Sequence, residues 1–125
     1  MATVLLVEDE ADVRALIEDA FADRGLEVRS ADSDTRAYQL LEQQARAIDV
    51  LVADINLGAG TTGFDVARRA RQLKPGLKVV YITGHAAHLD RFGVEGALMF
   101  PKPFNPRELA ERVAGLLDGG SPVRA

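Results

Sequence analysis

The chain of 125 residues contains no cysteine and no tryptophan. The absence of cysteine excludes disulfide bonds, thiolate zinc sites, iron–sulfur clusters and cysteine nucleophiles. No apolar run approaches the roughly 18–20 residues that a membrane-spanning helix needs, and the N-terminus lacks the basic region and cleavage site of a signal peptide. We therefore expect a cytoplasmic protein with no membrane partner.

Basic residues are in the minority, since 15 Lys and Arg stand against 19 Asp and Glu and give a formal net charge of −4. Proteins that bind nucleic acids usually present a net basic face, so we expect no nucleic-acid partner. The hydrophobic share of 47% is ordinary for a globular protein, and the length fits one domain. We expect that domain to cover residues 1–118, followed by a short flexible tail over residues 119–125.

Short apolar runs alternate with segments of helical periodicity along the chain. The runs predict strands over Thr3–Val7, Val50–Ala53, Val79–Thr83 and Ala97–Phe100, and a weaker run predicts a strand over Glu27–Ala31. The segments after them predict helices over Asp12–Arg24, Thr35–Gln44, Phe64–Leu73 and His85–Phe92, and a last helix from Pro106 to just before Gly119-Gly120. Continuously apolar strands are typical of a parallel sheet with both faces covered. The pattern therefore predicts an α/β fold, a doubly wound (βα)5 domain with a five-stranded parallel sheet.

Polar residues stand at the carboxyl ends of the predicted strands, where ligands bind in a doubly wound sheet. Glu8 and Asp9 follow the first strand and Asp54 ends the third. Thr83 ends the fourth strand and Lys102 follows the fifth. A single acidic residue after a strand is commonly a helix N-cap, but clustered carboxylates repel one another unless a cation such as Mg²⁺ is present. Carboxylates, a hydroxyl and an ammonium at one edge are the groups that phosphoryl transfer requires.

Glu8-Asp9, Asp54, Thr83 and Lys102-Pro103-Phe104, at these spacings, resemble the receiver domains of bacterial response regulators over about residues 3–118. The resemblance implies a flavodoxin-like sheet with strand order 2-1-3-4-5. It implies that Asp54 accepts a phosphoryl group from a sensor histidine kinase or a histidine phosphotransfer protein. Thr83 and Lys102 would contact the phosphoryl oxygens, and the peptide bond between Lys102 and Pro103 would be cis.

The resemblance also implies a metal site. Asp9 and Asp54 would bind Mg²⁺ directly, and Glu8 would bind it directly or through a water molecule. The backbone carbonyl of Asn56 would be a further ligand, and Mn²⁺ would substitute for Mg²⁺.

Phosphorylation would change the face that the fourth predicted helix, the fifth strand and the fifth helix form, and a downstream protein would bind there. The initiating Met1 and the short C-terminal tail predict a stand-alone receiver. We expect a monomer or weak dimer that is a phosphoacceptor rather than an enzyme.

One departure from the family pattern concerns the switch. Most receivers have Tyr or Phe three residues before the conserved lysine, where this chain has Met99, and strand alternation turns the neighbouring Phe100 to the opposite face. Tyr81 is an alternative switch residue, although a packed strand aromatic is the simpler interpretation. We hypothesise that the Gly84–Leu89 segment carries the output instead. Loss of phosphorylation-dependent binding in a folded Met99→Ala variant would instead favour Met99 as the relay.

Two other functions remain open. A degenerate receiver would keep the fold and bind partners without phosphorylation. An aspartyl-nucleophile phosphatase of the haloacid dehalogenase type would carry its nucleophile after the first strand and a second Asp two residues on. This chain has Asp54 after the third strand, and the residue two positions on is Asn56.

The G-x-G-x-x-G match at Gly58–Gly63 lies in the wrong βα turn for a dinucleotide site. The basic stretch from Arg68 to Lys74 is interpreted as a solvated helix face.

Overall fold

The computed structural model describes residues 2–55, 63–84 and 93–118. Strands β1 to β5 cover Thr3–Val7, Glu27–Ala31, Val50–Asp54, Lys78–Thr83 and Leu98–Pro101. Helices α1 to α4 of this part of the chain cover Ala11–Asp23, Asp34–Gln44, Gly63–Leu73 and Pro106–Asp118, and a short 3₁₀ turn covers Ala45–Ala47. No helix within these ranges is long and apolar enough to cross a membrane.

Several predictions concern residues outside these ranges. They are the helix at residues 85–92, most of the Gly84–Leu89 segment, the loop at residues 56–62 with its predicted ligand Asn56, and the tail at residues 119–125. These remain predictions.

The five strands form one parallel sheet in the order β2-β1-β3-β4-β5. Every residue of β1 and β3 is buried, because helices cover the sheet on both faces. The edge strands β2 and β5 are mostly half-buried. The predicted fold and strand order are confirmed.

The two faces of the sheet have separate apolar cores, because successive strand residues point to opposite sides. One core packs against α2 and α3 and includes Leu5 and Tyr81. The other packs against α1 and α4 and includes Leu6, and Phe100 packs against it. Met99 pairs in register with Tyr81 and so lies on the opposite side of β5 from Phe100, as predicted.

Helix starts follow their capping residues. The Asn105 side chain accepts a hydrogen bond from the Arg107 amide at 2.8 Å, and Pro106 occupies the first position of α4, as predicted. Helix α2 begins at Asp34, one residue before the predicted start. The reason is that the Ser33 hydroxyl accepts a hydrogen bond from the Arg36 amide at 3.2 Å and so caps the helix.

Strand β5 begins at Leu98, one residue later than predicted. The reason is that the Ala97 amide closes a turn by donating to the Val94 carbonyl at 3.2 Å. At its other end, the Lys102 amide donates to the Thr83 carbonyl at 2.9 Å. This bond places Lys102 at the carboxyl edge of the sheet, beside the end of β4.

Candidate functional site

Asp54 ends the central strand β3 and is only 1% exposed. The Lys102 ammonium donates a hydrogen bond to Asp54 Oδ2 at 2.9 Å. Partial burial alone would lower the pKa of Lys102, but the hydrogen bond and the charge of Asp54 outweigh that effect and raise this pKa. A buried carboxylate is therefore held beside a lysine that stays cationic.

Glu8 directly follows β1, and its side chain is fully buried. Its Oε2 atom accepts the Glu10 amide at 3.1 Å, while its Oε1 atom has no hydrogen-bond partner in the described part of the chain. Burial, reinforced by repulsion from Asp54, raises the pKa of Glu8 to about 7, against the opposing effects of the Glu10 amide and the Lys102 charge. A buried carboxylate oxygen without a donor indicates that a proton or a cation completes the site.

Three carboxylates meet at the end of β1. One oxygen each from Glu8, Asp9 and Glu10 lies within 4.8 Å of the other two, and Asp9 and Glu10 are exposed. Hard oxygen donors, net negative charge and access to solvent are the features that Mg²⁺ requires, so these residues fit that ion. Helix capping does not explain the cluster, because Glu10 is the N-cap of α1 and makes no side-chain capping bond.

Thr83 ends β4, which lies between β3, where Asp54 is the last residue, and β5, which Lys102 directly follows. Thr83 is 2% exposed, and Gly84 after it is exposed. The Ile55 amide donates to the Ile82 carbonyl at 3.1 Å, which ties the end of β3 to the end of β4. The structure thus places Glu8, Asp9, Asp54, Thr83 and Lys102 at the carboxyl edge of the sheet. The predicted switch residues Tyr81 and Met99 lie further back, within β4 and β5.

The peptide bond between Lys102 and Pro103 is cis, as the resemblance implied. Pro103 is exposed, and it leads into the capped start of α4. The lysine therefore lies between the end of the sheet and the start of a helix.

The response regulator receiver domain family matches residues 4–114 of the chain. The chain belongs to this family. The receiver is 32% identical over 120 residues to the response regulator receiver protein CpdR of Brucella abortus, covering 94% of this chain and 98% of CpdR. Receivers of this family are signalling domains rather than enzymes in the usual sense, and they interact with kinases or phosphotransfer proteins.

Solved structures of receiver proteins have the same fold as this chain. A response regulator receiver protein from Sinorhizobium medicae superposes with a TM-score of 0.87 at 36% identity, covering 96% of this chain and 97% of that one. The response regulator TrrA from Thermotoga maritima, solved in complex with Mg²⁺-BeF, superposes with a TM-score of 0.81 at 26% identity, covering 93% and 99%. Binding of Mg²⁺ at an acidic pocket is a feature of the family.

Tyr81 is a packed strand aromatic, and its part in the switch stays a prediction. It is fully buried, and its ring meets the Phe64 ring edge-on with 5.0 Å between the centroids. Its hydroxyl accepts a hydrogen bond from the Val94 amide at 3.0 Å, a contact that the sequence did not predict. Burial raises the pKa of Tyr81, so the hydroxyl stays protonated.

Sequence reasoning also missed two residues that shape the site. A β-carbon on Gly63 would overlap the carbonyl oxygen of Asp54 and lie 3.0 Å from the Ile55 α-carbon, so only glycine fits there. The guanidinium of Arg14 donates to the Glu8 carbonyl at 3.0 Å. A glycine opening a helix was a readable signal for the first, whereas no sequence pattern marks Arg14. Glu10 was likewise not predicted as part of the metal site.

The basic stretch on α3 is more than the predicted solvated face. Arg71 donates to the Leu77 carbonyl and Lys74 to the Ile48 carbonyl, each at 2.6 Å. Arg68 pairs with Asp65, and Arg69 reaches Glu42 on α2. The contacts of Arg69, Arg71 and Lys74 tie α3 and the residue after it to neighbouring segments, whereas the Arg68–Asp65 pair lies within α3 itself.

Proposed function

We propose that this receiver is the phosphoacceptor of a two-component phosphorelay. Asp54 takes a phosphoryl group from the phosphohistidine of a sensor histidine kinase or a histidine phosphotransfer protein. The observation that carries the proposal is a buried Asp54 carboxylate, 2.9 Å from the Lys102 ammonium, beside an acidic cluster in which a Glu8 oxygen has no partner among the described residues. The domain proposed for this function covers residues 1–118.

The transfer exchanges one bond for another. A carboxylate oxygen of Asp54 attacks the phosphorus in line, an O–P bond forms, and the P–N bond of the phosphohistidine breaks. The electron pair of that bond goes to the imidazole, which takes up a proton. Lys102 turns from the carboxylate to a phosphoryl oxygen, and the Thr83 hydroxyl donates to another, so both groups stabilise the charge of the transferring group.

The acidic cluster supplies the metal ligands in this proposal. Glu8, Asp9, Asp54 and the Asn56 carbonyl form the ligand set, and Glu10 lies within reach of the first two. The chemistry that Mg²⁺ supplies when bound is neutralisation of the charge between Asp54 and the phosphoryl group, and Mn²⁺ takes the same oxygen ligands. A bound cation would stabilise Glu8 Oε1 in particular, because this buried oxygen accepts no hydrogen bond from the described part of the chain.

The output follows from the position of Thr83. Phosphorylation adds about −1.5 to −2 charge units and three acceptor oxygens to Asp54. Thr83 moves toward them, and its carbonyl is bonded to the Lys102 amide at the end of β5. The face formed by β5, α4 and the helix predicted at residues 85–92 then presents a changed surface to a downstream protein.

Intact mass spectrometry tests the proposal. The protein is incubated with a small phosphodonor and Mg²⁺, and we expect the mass of one phosphoryl group to be added. The adduct should be lost in Asp54→Asn and in excess EDTA, and it should return with Mn²⁺. Asp23→Asn, which removes an exposed carboxylate at the end of α1, is the matched control and should keep the adduct.

Two results would overturn the proposal. The absence of an adduct on the folded protein, with both small donors and a histidine kinase, would leave a receiver that binds partners without phosphorylation. Continuous turnover of a phosphorylated metabolite would instead indicate a phosphatase.

A further inference from the structure

Tyr81 joins two parts of the receiver that are distant in sequence. Its hydroxyl accepts the amide of Val94, four residues before β5 begins. Its ring packs edge-on against Phe64 near the start of α3. The residue that faces it across the strand pair is Met99, which offers neither a hydroxyl nor a rigid ring.

The Phe64 contact leads directly to the phosphorylation site. Phe64 follows Gly63, whose amide donates to the Ile55 carbonyl at 3.0 Å. Gly63 also lies against the carbonyl of Asp54, so closely that a β-carbon would not fit. A continuous series of contacts thus runs from the Asp54 backbone through Gly63 and the Phe64 ring to Tyr81. The Tyr81 hydroxyl then connects this series to Val94, before β5.

Tyr81 also shares a strand with the residue that responds to the phosphate. Thr83 lies two positions further along β4, and residues two apart in a strand point to the same face. The Thr83 and Tyr81 side chains therefore lie on the same face of β4. A shift of Thr83 toward Asp54 disturbs the face on which the Tyr81 hydroxyl accepts the Val94 amide hydrogen bond.

We propose that the hydrogen bond from the Val94 amide to the Tyr81 hydroxyl stabilises the unphosphorylated arrangement of this receiver and is given up on phosphorylation. Tyr81 is then a positioning residue for the response, in place of an aromatic residue at position 99. This inference rests on the proposed phosphorylation of Asp54.

A ligand of the phosphorylated arrangement reports on this contact. The apparent affinity of such a ligand scales with the fraction of the protein already in the arrangement that binds it. Removing the Val94–Tyr81 hydrogen bond, which the proposal assigns to the unphosphorylated arrangement alone, raises the fraction of the protein that is in the binding arrangement. For one neutral hydrogen bond the expected gain in affinity is about 2- to 10-fold.

The experiment is a beryllofluoride titration in Mg²⁺, followed by backbone amide NMR. Beryllium and its fluorides take the places of phosphorus and the phosphoryl oxygens on the Asp54 carboxylate. We expect Tyr81→Phe, which keeps the ring, to bind beryllofluoride about 2- to 10-fold more tightly than the wild type. We also expect the Val94 amide to exchange slowly with solvent in the free wild type and faster once beryllofluoride is bound.

Tyr38→Phe is the matched control, because Tyr38 is the other tyrosine of the chain and packs against the same core from α2. It should leave the affinity unchanged. Equal or weaker binding by a folded Tyr81→Phe overturns the inference, and so does a Val94 amide that stays protected when beryllofluoride binds. The second readout uses the wild type alone and does not depend on folding of the variant. If the wild type and Asp54→Asn respond alike, the proposed function fails instead.

Discussion

The central strands and the edge strand β5 differ in how firmly they hold the site. Every residue of β1 and β3 is buried, and these strands position Glu8 and Asp54. Strand β5 is half-buried, has a neighbour on one side only within the described sheet and positions Lys102. The carboxylates are therefore fixed by the core, whereas the lysine is fixed by one strand pair and its bond to Asp54. The lysine half of the site is therefore the half able to change.

Truncating one leucine in each strand is the harshest test of this difference. Leu6 lies in β1 and is fully buried, whereas Leu98 lies in β5 and is half-buried, and both belong to the core under α1 and α4. We expect Leu6→Ala to lower the free energy of unfolding by about 2–5 kcal/mol and Leu98→Ala by about 1 kcal/mol. Urea denaturation measures both, and equal losses would contradict a firm centre beside a looser edge.

Substitution of Gly63 should disturb the fixed half directly. In Gly63→Ala the new β-carbon overlaps the Asp54 carbonyl, so the backbone of Asp54 must shift. We expect a loss of about 1–3 kcal/mol in the free energy of unfolding, and slower phosphorylation of Asp54. Urea denaturation and the rate at which the phosphoryl adduct forms are the measurements.

Gly115 provides the matched control for this substitution. It lies in α4, and a β-carbon there would meet nothing within 4 Å. Gly115→Ala should stabilise the protein by about 0.5–1 kcal/mol, because alanine is the better helix former. A Gly63→Ala variant as stable and as reactive as Gly115→Ala would show that the close packing on Asp54 is unimportant.

Glu8 gives the fixed half a pH dependence in metal-free buffer. Its pKa is about 7 in the folded protein, whereas the ordinary pKa of a glutamate, which the unfolded chain restores, is 4.5. Between these two values the folded chain keeps a proton that the unfolded chain has lost. Stability from this group is fully present below pH 4.5 and is lost as the pH rises through about 7.

The matching substitution is Glu8→Gln, which removes this titration. We expect the unfolding free energy of the wild type to fall by about 3 kcal/mol relative to the variant over that window, in excess EDTA. Thermal or urea denaturation at a series of pH values measures it, with the exposed Glu95→Gln as control. A difference that stays constant with pH would mean that the buried carboxylate does not hold the proton.

Sequence reasoning reached further in the centre than at the edge. The buried strands show as continuous apolar runs, and the residues at their ends, Glu8 and Asp54, are identified by position alone. The hydrogen bond from the Val94 amide to the Tyr81 hydroxyl depends on the distance between two segments that are separate in the chain. No local pattern encodes that distance, so only the folded structure reveals this contact.

Hydrogen–deuterium exchange in the presence and absence of Mg²⁺ and beryllofluoride tests most directly whether a movable edge lies beside a fixed centre. We expect peptides covering Val4–Val7 and Val50–Ala53 to keep their protection unchanged, because β1 and β3 are buried on both faces. Peptides covering Val94–Lys102 should change their exchange rates. Equal changes in the central strands, or no change along β5, would contradict this division of the receiver.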